Sequence, residues 1–237
     1  MIYISKVRNN RPLESRTSYP YNIPSISILN ELSFRKEVTF IIGENGAGKS
    51  TLVEAIAINA GFNAEGGSRN FNFNTKSSHS ELFEDIQLIR TAYRNKDGFF
   101  LRAESFYNVA TAVDDYEAQD SYGGSLHERS HGESFLSLMQ NRLYGQGLYI
   151  FDEPESALSM VSQLNMLRRV NQLVEKNSQF IIATHSPVLM AYPGADIYEV
   201  SSEGINLVDY EDTEQFRLTK YFMNNREKML SDLGLEF

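Results

Sequence analysis

The segment from position 43 to position 51 restricts the fold of this chain more than any other part of the sequence. It consists of Gly43, Glu44, Asn45, Gly46, Ala47, Gly48, Lys49, Ser50 and Thr51, which match the pattern GxxxxGK[ST]. The match follows a β-branched, apolar run at 38–42 and precedes a helical pattern at 52–60. Glycines permit the tight turn and the close backbone approach that a bound phosphate requires. The segment therefore predicts a phosphate-binding loop at the positive end of a helix dipole.

Two side chains of this loop have predicted chemical roles. Lys49 is expected to reach the β- and γ-phosphates of a nucleoside triphosphate, and the Ser50 hydroxyl is expected to bind Mg²⁺. A plain glycine-rich turn is the alternative, and average residue usage gives a chance match of about one in a hundred for a chain of this length. The position between a strand and a helix favours the phosphate-binding interpretation.

Strand and helix patterns alternate along much of the chain. The predicted strands are 1–7, 38–42, 98–104, 148–151, 180–183, 197–200 and 205–208, and the predicted helices are 52–60, 81–94, 135–144, 161–174 and 213–223. The last two strands are joined by a short polar turn and are expected to form a hairpin. Strands that alternate with helices favour an α/β fold with a mostly parallel central sheet.

Two adjacent acids, Asp152 and Glu153, end the predicted strand 148–151. At this position Asp152 can hold Mg²⁺ through water, and Glu153 can orient or deprotonate an attacking water molecule. Taken alone, the pair is better interpreted as an ordinary strand end with solvated acids. Together with the glycine loop, it predicts hydrolysis of a nucleoside triphosphate.

Three further segments, combined with the glycine loop, resemble ABC-type P-loop ATPases. Pro154–Leu158 continues the acidic strand end as the D-loop does in those proteins. Ser130-His131-Gly132-Glu133 resembles their signature motif, although Ser-x-x-Glu before an apolar run is also a capping box and both interpretations can hold. His185 follows the predicted strand 180–183, where the family has a switch histidine. Within the superfamily, the sequence looks closest to small bacterial ATPases related to SMC, RecF and OLD heads.

The resemblance implies a homodimer that holds ATP and Mg²⁺ between its two copies. One protomer would supply the glycine loop, the two acids and His185 as a sensor of the γ-phosphate. The other protomer would supply Ser130, Gly132 and Glu133 at the start of a helix.

The resemblance also implies the domain organisation. The whole chain, 1–237, is expected to be a single ABC-type ATPase domain with an N-terminal antiparallel β element. Residues 1–75 and 141–237 would form the nucleotide-binding lobe, and 76–140 would form an inserted helical lobe that contains the signature.

The sequence departs from the family pattern at several positions. His131 replaces the first glycine of the signature pair, and Ser159 replaces the aspartate that often ends the D-loop. Where the family has a glutamine loop, this chain has Glu104, a candidate Mg²⁺ ligand, and Gln87 is the alternative. An adenine-stacking aromatic is also expected, and the nearest candidates are Tyr19 and Tyr21.

Composition restricts the compartment and the partners. The formal net charge of −9 disfavours an evenly basic surface for nucleic acid. The chain has no cysteine, which excludes disulfides and thiolate metal sites and fits a reducing compartment. No apolar run approaches the ~20 residues that span a bilayer, and no secretory segment is recognisable, so a cytoplasmic protein without membrane insertion is predicted. A modest basic cluster is predicted either to contact DNA or to form a solvated face, and its members are Arg90, Arg94, Lys96 and Arg102.

Three outputs of an ATPase cycle remain open from the sequence. The first is an ATPase of the SMC, RecF or OLD kind in DNA maintenance or phage defence, with DNA or an effector protein as partner. The second is the nucleotide-binding subunit of an ABC transporter. The third is an ATP-dependent scaffold that hydrolyses weakly, which the departures at His131 and Ser159 would suit.

Overall fold

A six-stranded sheet forms the centre of the molecule. The computed structural model describes residues 1–68, 80–103 and 131–235. In these ranges the strands are β1 (Ile4–Asn9), β2 (Glu31–Ser33), β3 (Val38–Gly43), β4 (Ile86–Arg90), β5 (Asp97–Arg102), β6 (Gly147–Asp152), β7 (Gln179–Ala183), β8 (Asp196–Ser201) and β9 (Gly204–Val208). The large sheet has the order β5-β6-β7-β3-β8-β9; its first five strands are parallel, and β9 pairs antiparallel with β8. The predicted α/β fold with a mostly parallel sheet is confirmed.

The described ranges contain seven α-helices. They are α1 (Pro24–Ser27), α2 (Lys49–Asn59), α3 (Leu82–Asp85), α4 (His131–Asn141), α5 (Met160–Glu175), α6 (Glu214–Asn224) and α7 (Arg226–Asp232). Within the described ranges, no helix is long and apolar enough to cross a membrane.

The two faces of the large sheet pack in two separate cores. Every residue of β3, β6 and β7 is buried, which explains why these strands are nearly continuous apolar runs. Because side chains alternate along a strand, Phe40 and Phe151 face α4 and α5, whereas Ile41 and Ile150 face α2. The sheet is therefore covered on both sides.

A second sheet of three antiparallel strands, in the order β2-β1-β4, covers α2 from the other side. The buried Gln179 ties this sheet to the large one: its Oε1 accepts hydrogen bonds from the backbone N–H groups of Tyr3 and Ile4 at 2.8 and 2.9 Å, and its Nε2 donates to the Ile4 carbonyl at 2.8 Å. The predicted N-terminal antiparallel element is thereby confirmed.

The helix predicted over 81–94 is wrong. The structure has only one helical turn there, α3, followed directly by strand β4, which pairs along its length with β1. Residues 82–102 therefore contribute β4 to the antiparallel sheet and β5 to the large sheet. They do not form part of the helical lobe predicted at 76–140. An apolar spacing such as Leu82, Ile86 and Ile89 suits a helix, but pairing with a strand some eighty residues away determines the outcome.

Candidate nucleotide-binding and catalytic site

The glycine loop joins β3 to α2 at the carboxyl edge of the large sheet. Gly43 has φ +142°, and a Cβ added there would lie 2.3 Å from the carbonyl oxygen of Val200 in β8. Gly48 has φ +102°, and its added Cβ would lie 3.0 Å from the Ile23 side chain. Gly46, also at positive φ, has open space on that side. These glycines are required because the loop is pressed between neighbouring segments while its tip stays accessible.

Lys49 folds back over the loop that precedes it. Its Nζ donates hydrogen bonds to the carbonyls of Gly43 at 3.0 Å and Glu44 at 2.8 Å. Burial lowers the pKa of the ammonium group, whereas the nearby carboxylates, led by Glu153 and Asp152, act in the opposite direction. The cation is thus held inside the loop by carbonyl dipoles, where a phosphate group would meet it.

Ser50 and Asp152 meet beside this lysine, although they are far apart in the sequence. The Ser50 hydroxyl donates to Asp152 Oδ1 at 3.0 Å, and Asp152 is 4% exposed at the end of β6. Mg²⁺ prefers oxygen ligands and is commonly held by one or two carboxylates together with substrate phosphates and water. A hydroxyl and a carboxylate in contact at the phosphate loop fit that requirement.

Glu153 is turned out of the strand by its backbone. Its φ and ψ are both 50°, a left-handed conformation that is uncommon for residues other than glycine, and its N–H donates to the Ala183 carbonyl at 3.0 Å. The side chain is 40% exposed, and its Oε1 lies 3.4 Å from Nε2 of His185. Strained backbone of this kind is found at functional sites, where it aims a side chain that regular structure could not present.

A cavity of about 150 Å³ lies where these groups converge. It is lined by Ile23, Asn45, Gly46, Gly48, Lys49, Ser50, Thr51 and Glu153. The glycine loop, its lysine and the acid that follows β6 therefore surround one space.

Comparison with known proteins places this arrangement in a family context. The AAA domain family model matches residues 22–119. The Probable ATP-dependent transporter ycf16 of Antithamnion sp. is 24% identical over 247 residues, which cover 90% of this chain and 97% of that protein. An uncharacterized ABC transporter ATP-binding protein of Haemophilus influenzae is 38% identical over 72 residues, 30% of this chain and 27% of that protein. The family match at 22–119 and these relatives support the predicted AAA/ABC-type P-loop ATPase domain.

Solved structures agree at the level of the fold. CbiO1 from Clostridium perfringens, part of the ABC transporter complex CbiONQ, superposes with a TM-score of 0.54 over 98% of this chain and 100% of that one, at 18% identity. A putative metal-chelate type ABC transporter in an inward-facing conformation gives a TM-score of 0.51 over 94% of this chain and 90% of that chain, at 17% identity. The predicted ATPase class is confirmed, and the roles of individual residues stay predictions.

His185 lies in the turn that follows β7, and side-chain hydrogen bonds stabilise the shape of this turn. Its backbone N–H donates to Glu155 Oε1 at 2.6 Å, and the Thr184 hydroxyl accepts from the Ser186 N–H at 3.0 Å. The imidazole Nε2 is buried, and in the described residues no atom meets it with hydrogen-bond geometry, Glu153 included. A buried ring nitrogen without a partner is suited to a group that arrives with the substrate.

Glu155 is a site residue that sequence reasoning missed. One of its oxygens fixes the backbone of His185, and the other, Oε2, is buried without a hydrogen-bond partner among residues 1–68, 80–103 and 131–235. Its charge also favours the protonated form of Lys49, so it opposes the lowering of the lysine pKa by burial. The available signal was a third carboxylate two positions after Glu153, but its partner lies thirty positions farther along the chain.

The described residues of the signature segment do not line this cavity. Ser130 and Glu104 lie outside the described residues. Gly132 lies in the first turn of α4, against the turn that follows β6, where a Cβ added to it would lie 2.9 Å from the Ala157 carbonyl oxygen. In the described part of the chain, the cavity lining includes neither Gly132 nor Glu133. Among the described residues, the predicted signature segment and the glycine loop therefore do not line one common space.

Two of three other candidate residues lie in positions that do not suit their expected roles. Gln87 is exposed in β4, where it pairs opposite Arg8 in the antiparallel sheet, so the glutamine-loop assignment to Gln87 is wrong. Tyr21 is 4% exposed, and its hydroxyl donates to Asp85 Oδ2 at 2.8 Å, which leaves no ring face for adenine. Tyr19 is 59% exposed and remains available.

The basic cluster predicted from the sequence is also divided. Arg102 pairs with the buried Glu54 of α2, so it belongs to the interior of the ATPase domain. Lys96 lies at the opposite edge of the sheet, beside the start of β5. These residues do not form one continuous face, so the predicted cluster of four is wrong.

Proposed function

We propose that this chain binds ATP with Mg²⁺ and hydrolyses it in a homodimer that ATP closes. The observation that carries the proposal is the convergence of Lys49, Ser50, Asp152, Glu153 and His185 at one edge of the sheet, around a cavity that the glycine loop lines. This set contains a phosphate cradle, oxygen ligands for a cation and a carboxylate for a water molecule, which are the parts that phosphoryl transfer requires.

Each residue has a distinct role in the proposed reaction. Lys49 and the loop N–H groups bind the β- and γ-phosphates, and Glu153 orients the attacking water and accepts its proton. Ser50 and Asp152 would hold Mg²⁺, which when bound neutralises the charge that develops on the phosphate oxygens. His185 donates from Nε2 to the γ-phosphate, and Glu155 keeps the histidine turn in place.

A second copy is proposed because the described residues of the signature segment do not line the phosphate cavity of their own chain. The start of α4 packs on the turn after β6 of its own chain, away from the lining of the phosphate cavity. Helix N-termini bind phosphate well, so the same segment of a second copy is suited to contact the γ-phosphate. In this proposal Ser130, Gly132 and Glu133 act on ATP held by the partner.

The proposed output of the cycle is the movement of a DNA or protein partner, as in ATPases of the SMC, RecF and OLD kind in DNA maintenance or phage defence. The support comes from the resemblance of the motif set and from Glu155, which stands where transporter ATPases usually have Thr or Ser. A cytoplasmic location belongs to the same proposal.

A second candidate output is the energising of an ABC transporter. It is favoured by the two curated relatives, both of which are named for transport. Under this proposal the chain would pair with a membrane-spanning partner and would work at the membrane surface.

One preparation can separate the two outputs. For the first, duplex DNA should stimulate ATP turnover, and the stimulation should fall as salt rises because phosphate contacts release counterions. A turnover rate that is flat across DNA and salt, together with recovery of the expressed chain in the membrane fraction, would favour the transporter subunit.

The hydrolysis itself is tested by phosphate release from ATP with purified protein. Lys49→Ala should lose ATP binding. Asp152→Asn should still bind ATP, but this binding should no longer depend on Mg²⁺. Lys6→Ala, which removes a surface lysine paired with Glu31, is the matched control and should behave as the wild type does. Unchanged turnover in Lys49→Ala would contradict the proposal.

A further inference from the structure

A second cavity lies on the other side of the glycine loop from Glu153. Its volume is about 510 Å³, within the range of about 300–1,000 Å³ that is usual for small-molecule sites. It shares Asn45 and Gly46 with the phosphate cavity, so the two spaces meet at the tip of the loop. Its other walls are the end of β8, the turn between β8 and β9, and the first turn of α6.

The second cavity is acidic, whereas the phosphate cavity contains the cation of Lys49. Three of its lining residues are glutamates, Glu44, Glu199 and Glu214, and its lining in the described ranges contains no lysine or arginine. Carboxylates repel phosphate groups but accept hydrogen bonds from hydroxyl and amino groups. The lining therefore suits the uncharged part of a ligand whose phosphates lie in the adjacent cavity, at Lys49.

Gln215 adds an unsatisfied amide to the same lining. Its Oε1 is buried and has no hydrogen-bond partner within the described part of the chain. A buried acceptor left without a donor is unfavourable, so this side chain gains by turning toward a donor in the cavity that it lines. An amide presents a donor and an acceptor side by side, which matches N6–H and N7 of adenine.

The walls around these groups are held by the fold. The Ser25 hydroxyl donates to the Ala47 carbonyl, which joins α1 to the glycine loop. Thr213, which is fully buried, caps α6 by accepting from the Phe216 N–H at 3.4 Å. Gln215 is thus carried on a capped helix start, next to a loop that Gly43 packs against β8.

We propose that this second cavity receives the adenosine part of ATP, with Gln215 pairing to the adenine edge and Glu199 accepting hydrogen bonds from the nucleoside. The proposal rests on the proposed function, because the phosphates of the same molecule must lie at Lys49. Guanine presents two acceptors, O6 and N7, where adenine presents N6–H and N7. Gln215 therefore makes the site select ATP over GTP.

The test is equilibrium binding of ATP, GTP and inorganic tripolyphosphate to the full chain, measured by calorimetry. The wild type should bind ATP at least about tenfold more tightly than GTP, a step of about 1.4 kcal/mol. Gln215→Ala should weaken ATP binding about tenfold and leave tripolyphosphate binding unchanged. Glu199→Gln, which keeps the side-chain volume, should weaken ATP binding and likewise spare tripolyphosphate. Gln140→Ala, an exposed glutamine on α4, is the matched control.

The outcomes separate this inference from the proposed function. If the wild type binds ATP and the affinities of Gln215→Ala and Glu199→Gln stay within twofold of it, the adenosine assignment is wrong while ATP binding stands. If Lys49→Ala binds ATP as the wild type does, the phosphate site itself is wrong. An equal loss of ATP and tripolyphosphate affinity in Gln215→Ala would also overturn the adenine role, since it would indicate a damaged loop.

Discussion

The two edges of the large sheet both have polar side chains, but they differ in whether the hydrogen bonds of these side chains are satisfied. At the amino edge, Asp97 accepts hydrogen bonds from Arg142 Nη1 at 2.9 Å, the Tyr149 hydroxyl at 2.8 Å and the Tyr144 N–H at 3.1 Å. At the carboxyl edge, by contrast, Glu155 and His185 each keep a buried side-chain atom for which the described residues provide no hydrogen-bond partner. Satisfied polar groups stabilise a fold, whereas buried groups that lack a partner are suited to a ligand.

Cavity size alone would place the functional site at the amino edge, which is misleading. The amino edge has an open cavity of about 810 Å³ beside Lys96, Arg142 and Lys176, whereas the phosphate cavity has about 150 Å³. Burial and the nearby Asp97 raise the pKa of Tyr149 at the amino edge, so its hydroxyl stays protonated and keeps its hydrogen bond. The larger cavity is therefore bordered by a structural cluster, and the chemistry is expected at the smaller one.

The largest expected effect is on turnover, from a change at the carboxyl edge. Glu153→Gln keeps the shape of the side chain but removes the proton acceptor, so ATP turnover should fall by about 10²–10⁴-fold. The free energy of unfolding should change little because the side chain is partly exposed. Phosphate release measures the turnover, and urea unfolding of the same preparation measures the stability. A variant that hydrolyses ATP at the wild-type rate would contradict the assignment of the chemistry to the carboxyl edge.

The next effect is on stability, from a change at the amino edge. Asp97→Ala leaves Arg142 and Tyr149 without their shared acceptor in a mostly buried place, so unfolding should become easier by about 3 kcal/mol. Turnover should be retained at temperatures where the variant is folded. Urea unfolding measures the loss, and Glu203→Ala, an exposed acid in the turn between β8 and β9, is the control.

A smaller effect on turnover sharpens the account of the carboxyl edge. Glu155→Ala removes the acceptor that fixes the His185 backbone, so turnover should fall about tenfold, while Glu155→Gln should recover most of it by keeping an oxygen there. Turnover at saturating ATP is the readout. Equal turnover in the wild type and the alanine variant would mean that the histidine turn is held in another way.

The smallest effect concerns Tyr21, which the sequence offered as an adenine contact. Tyr21→Phe removes the hydrogen bond to Asp85 and should lower the free energy of unfolding by about 1 kcal/mol at neutral pH, with no change in ATP binding. Burial and the hydrogen bond from Tyr21 to Asp85 raise the tyrosine pKa from 10.0 to about 12.

The sign of this pKa shift gives a second readout. The unfolded chain loses the Tyr21 proton near pH 10 while the folded chain keeps it, so the contribution to stability is full below pH 10 and is lost as pH rises toward about 12. Urea unfolding between these pH values should show a smaller decline for Tyr21→Phe than for the wild type. Weaker ATP binding in the variant would instead indicate that Tyr21 belongs to the ATP site.

The parts of the fold that the sequence predicted are those that depend on local pattern. Strands β3, β6 and β7 are continuous apolar runs, and the glycine loop is a contiguous motif, so both were visible without the structure. Strand β4 was mistaken for a helix because its partner β1 is distant in the chain. The roles of Glu155 and Gln215 were not visible either, since each depends on neighbours that only the folded chain brings close.

The most direct test of the central claim is the light-scattering mass of Glu153→Gln with and without ATP and Mg²⁺. The variant binds ATP but should not release it by hydrolysis, so a composite site predicts a shift from the 27.0 kDa chain to twice that mass when both are added. Lys49→Ala should stay at the lower mass under the same conditions. A Glu153→Gln protein that binds ATP and remains a monomer would contradict a site shared between two copies of this chain.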